Sequence, residues 1–295
     1  VKRRVAFLDV FAARPLAGNG LAVVDDADGV PDRVMHAYAR ETRLSETTFV
    51  QAATEDGADY RNRIWTPGEE LPFAGHPTLG TAVAVARWRG ADEASFVQQT
   101  GAGLQPVEAR RDGQTASGGE LWHASMLQEP VSFGDELDPA AAMAAVGLEP
   151  GDAHPDVPPR IASTGVAHAI APLADGSALD RVVPDYPAID RLIGPLDAVT
   201  LYVCWWDPDR NAAEGRARAF SRIVEIGEDP ATGSAAGPLC AYLAERGVRE
   251  QLTLTQGSEM GRPSTLVTRM DGERVRVSGA VVPLVDGTIE LPDSF

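Results

Sequence analysis

Lysine is all but missing from this chain. Lys2 is the single one, and the other basic residues are arginines. With 26 basic against 43 acidic side chains, the net charge is −17. Such a surface repels polyanions, which argues against nucleic acid or anionic membrane as the main partner. A small anion can still be held locally by helix N-termini and a few arginines. Cysteine is almost as scarce. Cys204 lies in an apolar strand-like run and Cys240 in a helix-like one. Two thiols so placed make neither a disulfide framework nor a metal-ligand spacing, and both read as buried structural thiols. Long apolar runs are absent too. The opening run Val5–Phe11 is short, is broken by Asp9 and reads as a strand, so neither a leader nor a membrane span is expected and a cytoplasmic protein is. Asp152, His154 and Asp156 cluster between prolines with no fourth partner, which reads as a solvated loop and not a metal site.

The length of 295 residues suits two domains of ordinary size. The clearest pattern is a turn that feeds a helix, and it occurs twice. Glu228-Asp229-Pro230-Ala231-Thr232-Gly233-Ser234 leads into an apolar helix expected over Pro238–Arg246, with Gly247 as its stop. Glu70-Leu71-Pro72-Phe73-Ala74-Gly75-His76 leads in the same way into Thr81–Trp88. Pro72 matches Pro230, Gly75 matches Gly233 and His76 matches Ser234. Thr232, Gly233 or Ser234 is suited to cap the second helix. A glycine-opened helix N-terminus offers N–H donors and the positive end of the dipole, which makes an anion cradle.

Flanking segments repeat as well. Gln99-Thr100-Gly101 before the strand Leu104–Arg110 echoes Thr255-Gln256-Gly257 before Thr265–Met270. Two related halves follow, each strand–strand–helix–strand–strand. Residues 1–118 form the N-terminal half, completed by the C-terminal strand 280–295, and residues 119–279 form the second.

Four side chains stand out by position: Glu46, His76, Asp229 and Ser234. Glu46 lies in a polar stretch just before an apolar strand, which suits either a solvated loop glutamate or a carboxylate turned into a pocket. His76 suits a helix-capping or core histidine as well as a ligand contact. Asp229 suits an acid complementing a helix dipole, and Ser234 an N-cap. Taken together, a carboxylate base with a second acid nearby is the minimum for moving a proton between two carbons, and paired helix N-termini would steady negative charge as it develops.

These residues also carry a family resemblance. Ser45-Glu46-Thr47-Thr48-Phe49, Gly75-His76-Pro77-Thr78-Leu79-Gly80 and Asp229-Pro230-Ala231-Thr232-Gly233-Ser234-Ala235 resemble, in order and spacing, the three signature motifs of the PhzF-like phenazine-biosynthesis family. Asp9-Val10-Phe11 through Gly18-Asn19-Gly20-Leu21-Ala22-Val23-Val24 fits too, except that Gly20 stands where the family usually has proline.

The resemblance implies an α+β diaminopimelate epimerase-like fold, with two pseudo-symmetric domains, each a curled mixed sheet around a central helix, and the active site in the interdomain cleft. It implies a cofactor-independent isomerase, acting on a small carboxylate-bearing, amino-acid-derived intermediate, and a homodimer. By that resemblance Glu46 is the general acid/base. His76, Asp229 and Ser234 contact substrate or relay protons, the Gly75 and Gly233 amides cradle its carboxylate, and Asn19 joins the binding residues. Epimerase relatives use a cysteine at each helix start, whereas His76 and Ser234 stand at those starts here. A two-thiol racemase is therefore disfavoured. An epimerase with non-thiol acid/base pairs and a non-catalytic small-acid-binding protein stay open as alternatives.

Overall fold

The computed structural model describes residues 1–209, 213–222 and 227–292. They divide into two units, Val1–Leu127 with Ser278–Phe295, and Gln128–Val277.

In the first unit the chain runs β1 (Lys2–Val10), β2 (Asn19–Val24), α1 (Asp32–Thr42), β3 (Glu46–Gln51), β4 (Tyr60–Trp65), β5 (Glu70–Leu71), α2 (Gly75–Trp88), β6 (Glu93–Thr100), β7 (Gly103–Gln114) and β8 (Glu120–Leu127). The second unit holds β9 (Ser132–Glu136), α3 (Pro139–Ala144), β10 (Arg160–Ser163), β11 (Ala167–Pro172), α4 (Tyr186–Ile193), β12 (Thr200–Trp206), β13 (Glu214–Ser221), β14 (Glu228–Asp229), α5 (Gly233–Glu245), β15 (Gln251–Gln256) and β16 (Ser264–Asp271). The last strand, β17 (Arg274–Glu290), carries the chain back into the first unit at Ser278.

The strand pairings repeat. In the first unit β1–β2 is antiparallel, β2–β3 parallel, β3–β4 antiparallel, β4–β6 parallel and β6–β7 antiparallel. In the second, β10–β11, β11–β12, β12–β13, β13–β15 and β15–β16 follow with the same sequence of directions. The short strand before each helix pairs likewise, β5 on β4 and β14 on β13. Register turns this into residue equivalences. Ile64 pairs with Leu71, and Ala219 pairs with Asp229, each four residues before its helix glycine. Carried across the ladders, Leu71 is equivalent to Asp229, Thr48 to Tyr202, Glu46 to Thr200, and Leu21 to His168.

Each unit has one helix at its centre. Every residue of α2 from Gly75 to Ala86, and of α5 from Gly233 to Leu243, is buried. A helix that is apolar all round belongs inside, and Ala, Val, Gly and Leu keep it slim enough to fit. Strands β1, β2, β3, β4, β6, β7 and β8 all touch α2, and β10, β11, β15 and β16 touch α5. Shorter helices cover outer faces. Val34, Met35 and Ala39 of α1 pack with Val5, Val24, Phe49 and Trp65. Met143 of α3 and Ile189 and Ile193 of α4 pack with Leu173, Leu201 and Val203. Asp138 caps α3 ahead of Pro139, as the sequence leads one to expect.

Three expectations are corrected. Both central helices begin a turn or more earlier than read, at Gly75 and Gly233. Pro238 therefore sits inside α5, where it removes the bond to the Ser234 carbonyl without ending the helix. The units divide at Leu127/Gln128, whereas the sequence suggested residue 118. The polar stretch 112–119 is the end of a hairpin, with the Thr115 N–H donating to the Gly119 carbonyl at 2.8 Å, and β8 pairs back along β7. Finally, the closing strand expected from residue 280 begins earlier, within one continuous strand, β17. Residues 293–295 of the expected closing segment lie outside the described residues.

The two helix-start turns are braced by matching glycines. A Cβ on Gly101 would stand 2.8 Å from Pro72 Cα, and one on Gly257 would stand 2.6 Å from the Pro230 carbonyl oxygen. Gly257 also has φ +76°, a left-handed value. Gly101→Ala should cost roughly 1–3 kcal/mol by overpacking, and Gly257→Ala about 1 kcal/mol more through backbone strain. Gly151, with no atom within 4 Å of its notional Cβ, is the control and should shift stability by less than about 0.5 kcal/mol as alanine. Urea unfolding midpoints measure all three.

Candidate active site

In the first unit the site is assembled from the starts of three elements. Gly18, at φ +67°, turns the chain into β2; a Cβ there would strike the Val10 carbonyl, so only glycine fits. That turn delivers Asn19, buried, as the first residue of β2. Glu46 is the first residue of β3. The strand is tied to α2 by a Thr48–Thr81 hydroxyl pair at 2.8 Å and to the end of α1 by Thr42–Thr47 at 2.9 Å. His76 lies in the first turn of α2, directly after Gly75. Of the two readings of Glu46, the structure selects the inward one, for its side chain is 12% exposed.

These residues meet. His76 Nε2 lies 3.4 Å from Glu46 Oε2, and Asn19 Nδ2 lies 3.1 Å from His76 Nδ1. The Asn19 contact holds the ring through Nδ1 and turns Nε2 toward the Glu46 carboxyl. Burial pushes the His76 pKa down to about 3, outweighing a Gly20 backbone contact that favours the charged form. The histidine is therefore neutral, and the Glu46–His76 contact is no ion pair at neutral pH. Gly20, the departure from the family pattern, thus lies against the imidazole.

In the second unit Asp229 ends β14, Thr232 is the N-cap of α5, and Gly233 and Ser234 open the helix, with all four buried. Neither Ala74 before α2 nor Thr232 before α5 supplies a side-chain cap. The Thr232 hydroxyl donates instead to Asp229 Oδ2 at 2.6 Å. Capping by Thr232 or Ser234, expected from sequence, gives way to this bond. Neither helix start is therefore closed by a side chain of its N-cap residue.

Within each unit, then, the residues singled out from sequence come together: Asn19, Glu46, Gly75 and His76 in the first, Asp229, Gly233 and Ser234 in the second. The supporting groups escaped notice. Gln256 bonds the Asp229–Thr232 turn, and Gln128 donates to the Gly233 carbonyl at 3.0 Å. Gln98 donates to the Thr78 carbonyl at 2.8 Å and accepts from Asn62. The echo of Gln99-Thr100-Gly101 in Thr255-Gln256-Gly257 marks the place of Gln256 but not its role. His168 was missed altogether. It is 1% exposed, with Nδ1 2.7 Å from Thr200 Oγ1, at the positions equivalent to Leu21 and Glu46.

The cluster 152–156 is spoken for. Asp152 pairs with Arg181, and the His154 imidazole accepts from the Asp156 and Val157 amides. No group of potential metal ligands occurs among the described residues.

A profile of phenazine biosynthesis-like proteins matches residues 8–287. This chain belongs to that family. It is 36% identical over 285 residues to the trans-2,3-dihydro-3-hydroxyanthranilate isomerase of Pseudomonas aeruginosa, across 95% of this chain and 94% of the relative. It is also 36% identical to the isomerase of that name from Pseudomonas fluorescens, across 96% and 98%. Among solved structures, a predicted epimerase from Pseudomonas aeruginosa superposes with TM-score 0.83 at 36% identity, covering 97% and 99% of the two chains. A hydroxyproline epimerase from Agrobacterium vitis matches at TM-score 0.63 and 16% identity, over 98% and 91%, which shows the shared two-domain α+β fold. The family is one of isomerases, and this chain is an enzyme of that class.

Buried neutral histidines set the acid limit of stability. His76 and His168, one in each unit, are both pushed down to about 3 by burial, from an ordinary 6.5. Between those values the unfolded chain takes up protons that the folded chain refuses. Stability is therefore full above about pH 6.5 and falls as pH drops, by up to about 1.4 kcal/mol per pH unit for each imidazole. Urea midpoints should decline from about pH 7 to pH 5, and His168→Gln should flatten that slope.

Proposed function

We propose that this enzyme moves a proton within an allylic system of a small carboxylate-bearing, amino-acid-derived intermediate, with trans-2,3-dihydro-3-hydroxyanthranilate as the first substrate to test. The observation that carries this reading is the Glu46–His76–Asn19 constellation: a largely buried carboxylate held beside a neutral imidazole at the start of a buried helix. Glu46 takes a proton from an sp³ carbon next to the double bond. The C–H pair becomes the new π bond, the old π pair shifts outward, and the proton is returned at the far carbon. Atoms and charge balance with no redox partner. His76, with Nε2 facing Glu46, steadies the carboxylate form. Helix-start amides at Gly75 and Gly233 favour the substrate carboxylate and the negative charge that develops as the proton leaves. Asp229 and Ser234 contribute polar contacts to the substrate.

An epimerase is the weaker reading. The helix starts carry His76 and Ser234, not the opposed thiols of the epimerase relatives. We further propose a homodimer, as the family resemblance implies, which sedimentation tests directly. We place the enzyme in the cytoplasm, in line with two buried, free cysteines.

In D₂O, NMR should show the substrate isomerising with deuterium at the receiving carbon, and Glu46→Gln should slow this by about 10²–10⁴-fold. Exchange with inversion at one carbon would favour the epimerase, and ligand affinity unchanged in Glu46→Gln with no turnover in either protein would favour a binding protein. Ser234→Ala should raise KM more than it lowers kcat, which steady-state kinetics separates.

A further inference from the structure

Gln256, the last residue of β15, is 1% exposed, and its amide is fully used. Oε1 accepts from the Tyr202 hydroxyl at 3.1 Å and from the Thr232 N–H at 3.2 Å. Nε2 donates to the Asp229 carbonyl at 2.8 Å and to Thr232 Oγ1 at 2.9 Å. The amide cannot be turned round, because the Thr232 N–H requires an acceptor and the Asp229 carbonyl a donor. Thr232 Oγ1 thus receives a hydrogen from Gln256, so its own proton goes to Asp229 Oδ2, 2.6 Å away. That distance is in the range of a hydroxyl donating to a charged oxygen. The bonds are ordered by chemistry alone, and the order ends at Asp229.

The arrangement is not part of the scaffold the two units share. At the four equivalent positions the first unit has Leu71 for Asp229, Ala74 for Thr232, Thr48 for Tyr202 and Thr100 for Gln256. The fold is built there without any of it. Nor does the Thr232 hydroxyl serve the helix, for it makes no cap bond.

We infer that Gln256 is a positioning residue which, through Thr232, holds Asp229 as a hydrogen-bond acceptor, so that Asp229 enters turnover as a carboxylate. This rests on the role proposed for Asp229 above. Burial pushes the Tyr202 hydroxyl and the Cys204 thiol up, which keeps both neutral. On the neighbouring strand Arg218 is taken by Glu228 at 2.8 Å on both arms.

The test is ¹³C NMR of protein labelled at aspartate carboxyl carbons, without substrate, the Asp229 signal being identified by its loss in Asp229→Asn. Thr232→Val, similar in shape and lacking the donor, should raise the Asp229 titration midpoint by about one pH unit. Gln256→Glu puts an oxygen where Nε2 donates and competes for the Thr232 proton, and it should raise the midpoint too. Thr232→Ser should restore it. Should Thr232→Val not fold, Gln256→Glu against Thr232→Ser makes the same comparison. A midpoint within about 0.3 unit of wild type in the donor-lacking and competing variants overturns the inference. The acid limb of kcat/KM should move with the NMR midpoint. A moved midpoint with an unmoved limb supports the hydrogen-bond direction and removes Asp229 from turnover.

Discussion

The rest of this structure depends on burying the beginning of a helix. First-turn amides have no partners inside their own helix, and a polar group taken from water without one is expensive. The usual remedy is a side-chain cap. Here both central helices start inside their units, at Gly75 and Gly233, and neither has one. What surrounds these starts follows from that choice. Glycine opens each helix and lets other groups come close to the backbone. A proline two residues upstream of each N-cap bends the chain, and a glycine from a neighbouring strand packs against it. Buried glutamines satisfy the carbonyls of the turn and the first residues, Gln98 in one unit and Gln128 and Gln256 in the other. An uncapped helix start of this kind suits an anion, the ligand we propose for it.

The repeat supplies two such starts, and the side chains make them unlike. In one, a carboxylate arrives from the first residue of β3 and meets an imidazole. In the other, it arrives from β14 and meets a hydroxyl. The register shows that these carboxylates are not counterparts, since each has an uncharged residue opposite it in the other unit. One copy is thus equipped with a neutral histidine that faces its acid, and the other with a hydroxyl that donates to its acid. The two units share the backbone of the helix start, but their acids stand at different positions.

Much of this was legible beforehand because it is written in local chemistry. A Pro–x–x–Gly turn before an apolar helix leaves a plain signal, and its second occurrence, with the echo of Gln99-Thr100-Gly101 in Thr255-Gln256-Gly257, revealed the two halves. Glu46, His76, Asp229 and Ser234 were found by their place beside those turns. Less legible were matters decided at long range. Whether Glu46 faces solvent depends on strand pairing with β2 and on the Thr48–Thr81 contact, neither of which a local window contains. The helix starts were read too late because Pro238 looked like a first-turn residue, though a helix buried on every side tolerates one missing bond. The hairpin of β7 and β8 was taken for a boundary because polar turns look alike whether they join strands or domains. His168 carries no motif, and the segment that marks Gln256 does not give its partners; the fold puts Gln256 at Asp229 and His168 beside Thr200.

The long last strand has a consequence for how the protein is made. β1 finds one neighbour, β2, a few residues further along the chain, but its other neighbour is β17, which pairs with it from Val281 to Glu290. Until that strand leaves the ribosome, β1 keeps an open edge while the whole second unit is translated. Unsatisfied edges of this kind invite mispairing during synthesis. The second unit, by contrast, is complete once Val277 has emerged, so the half begun first is the half finished last.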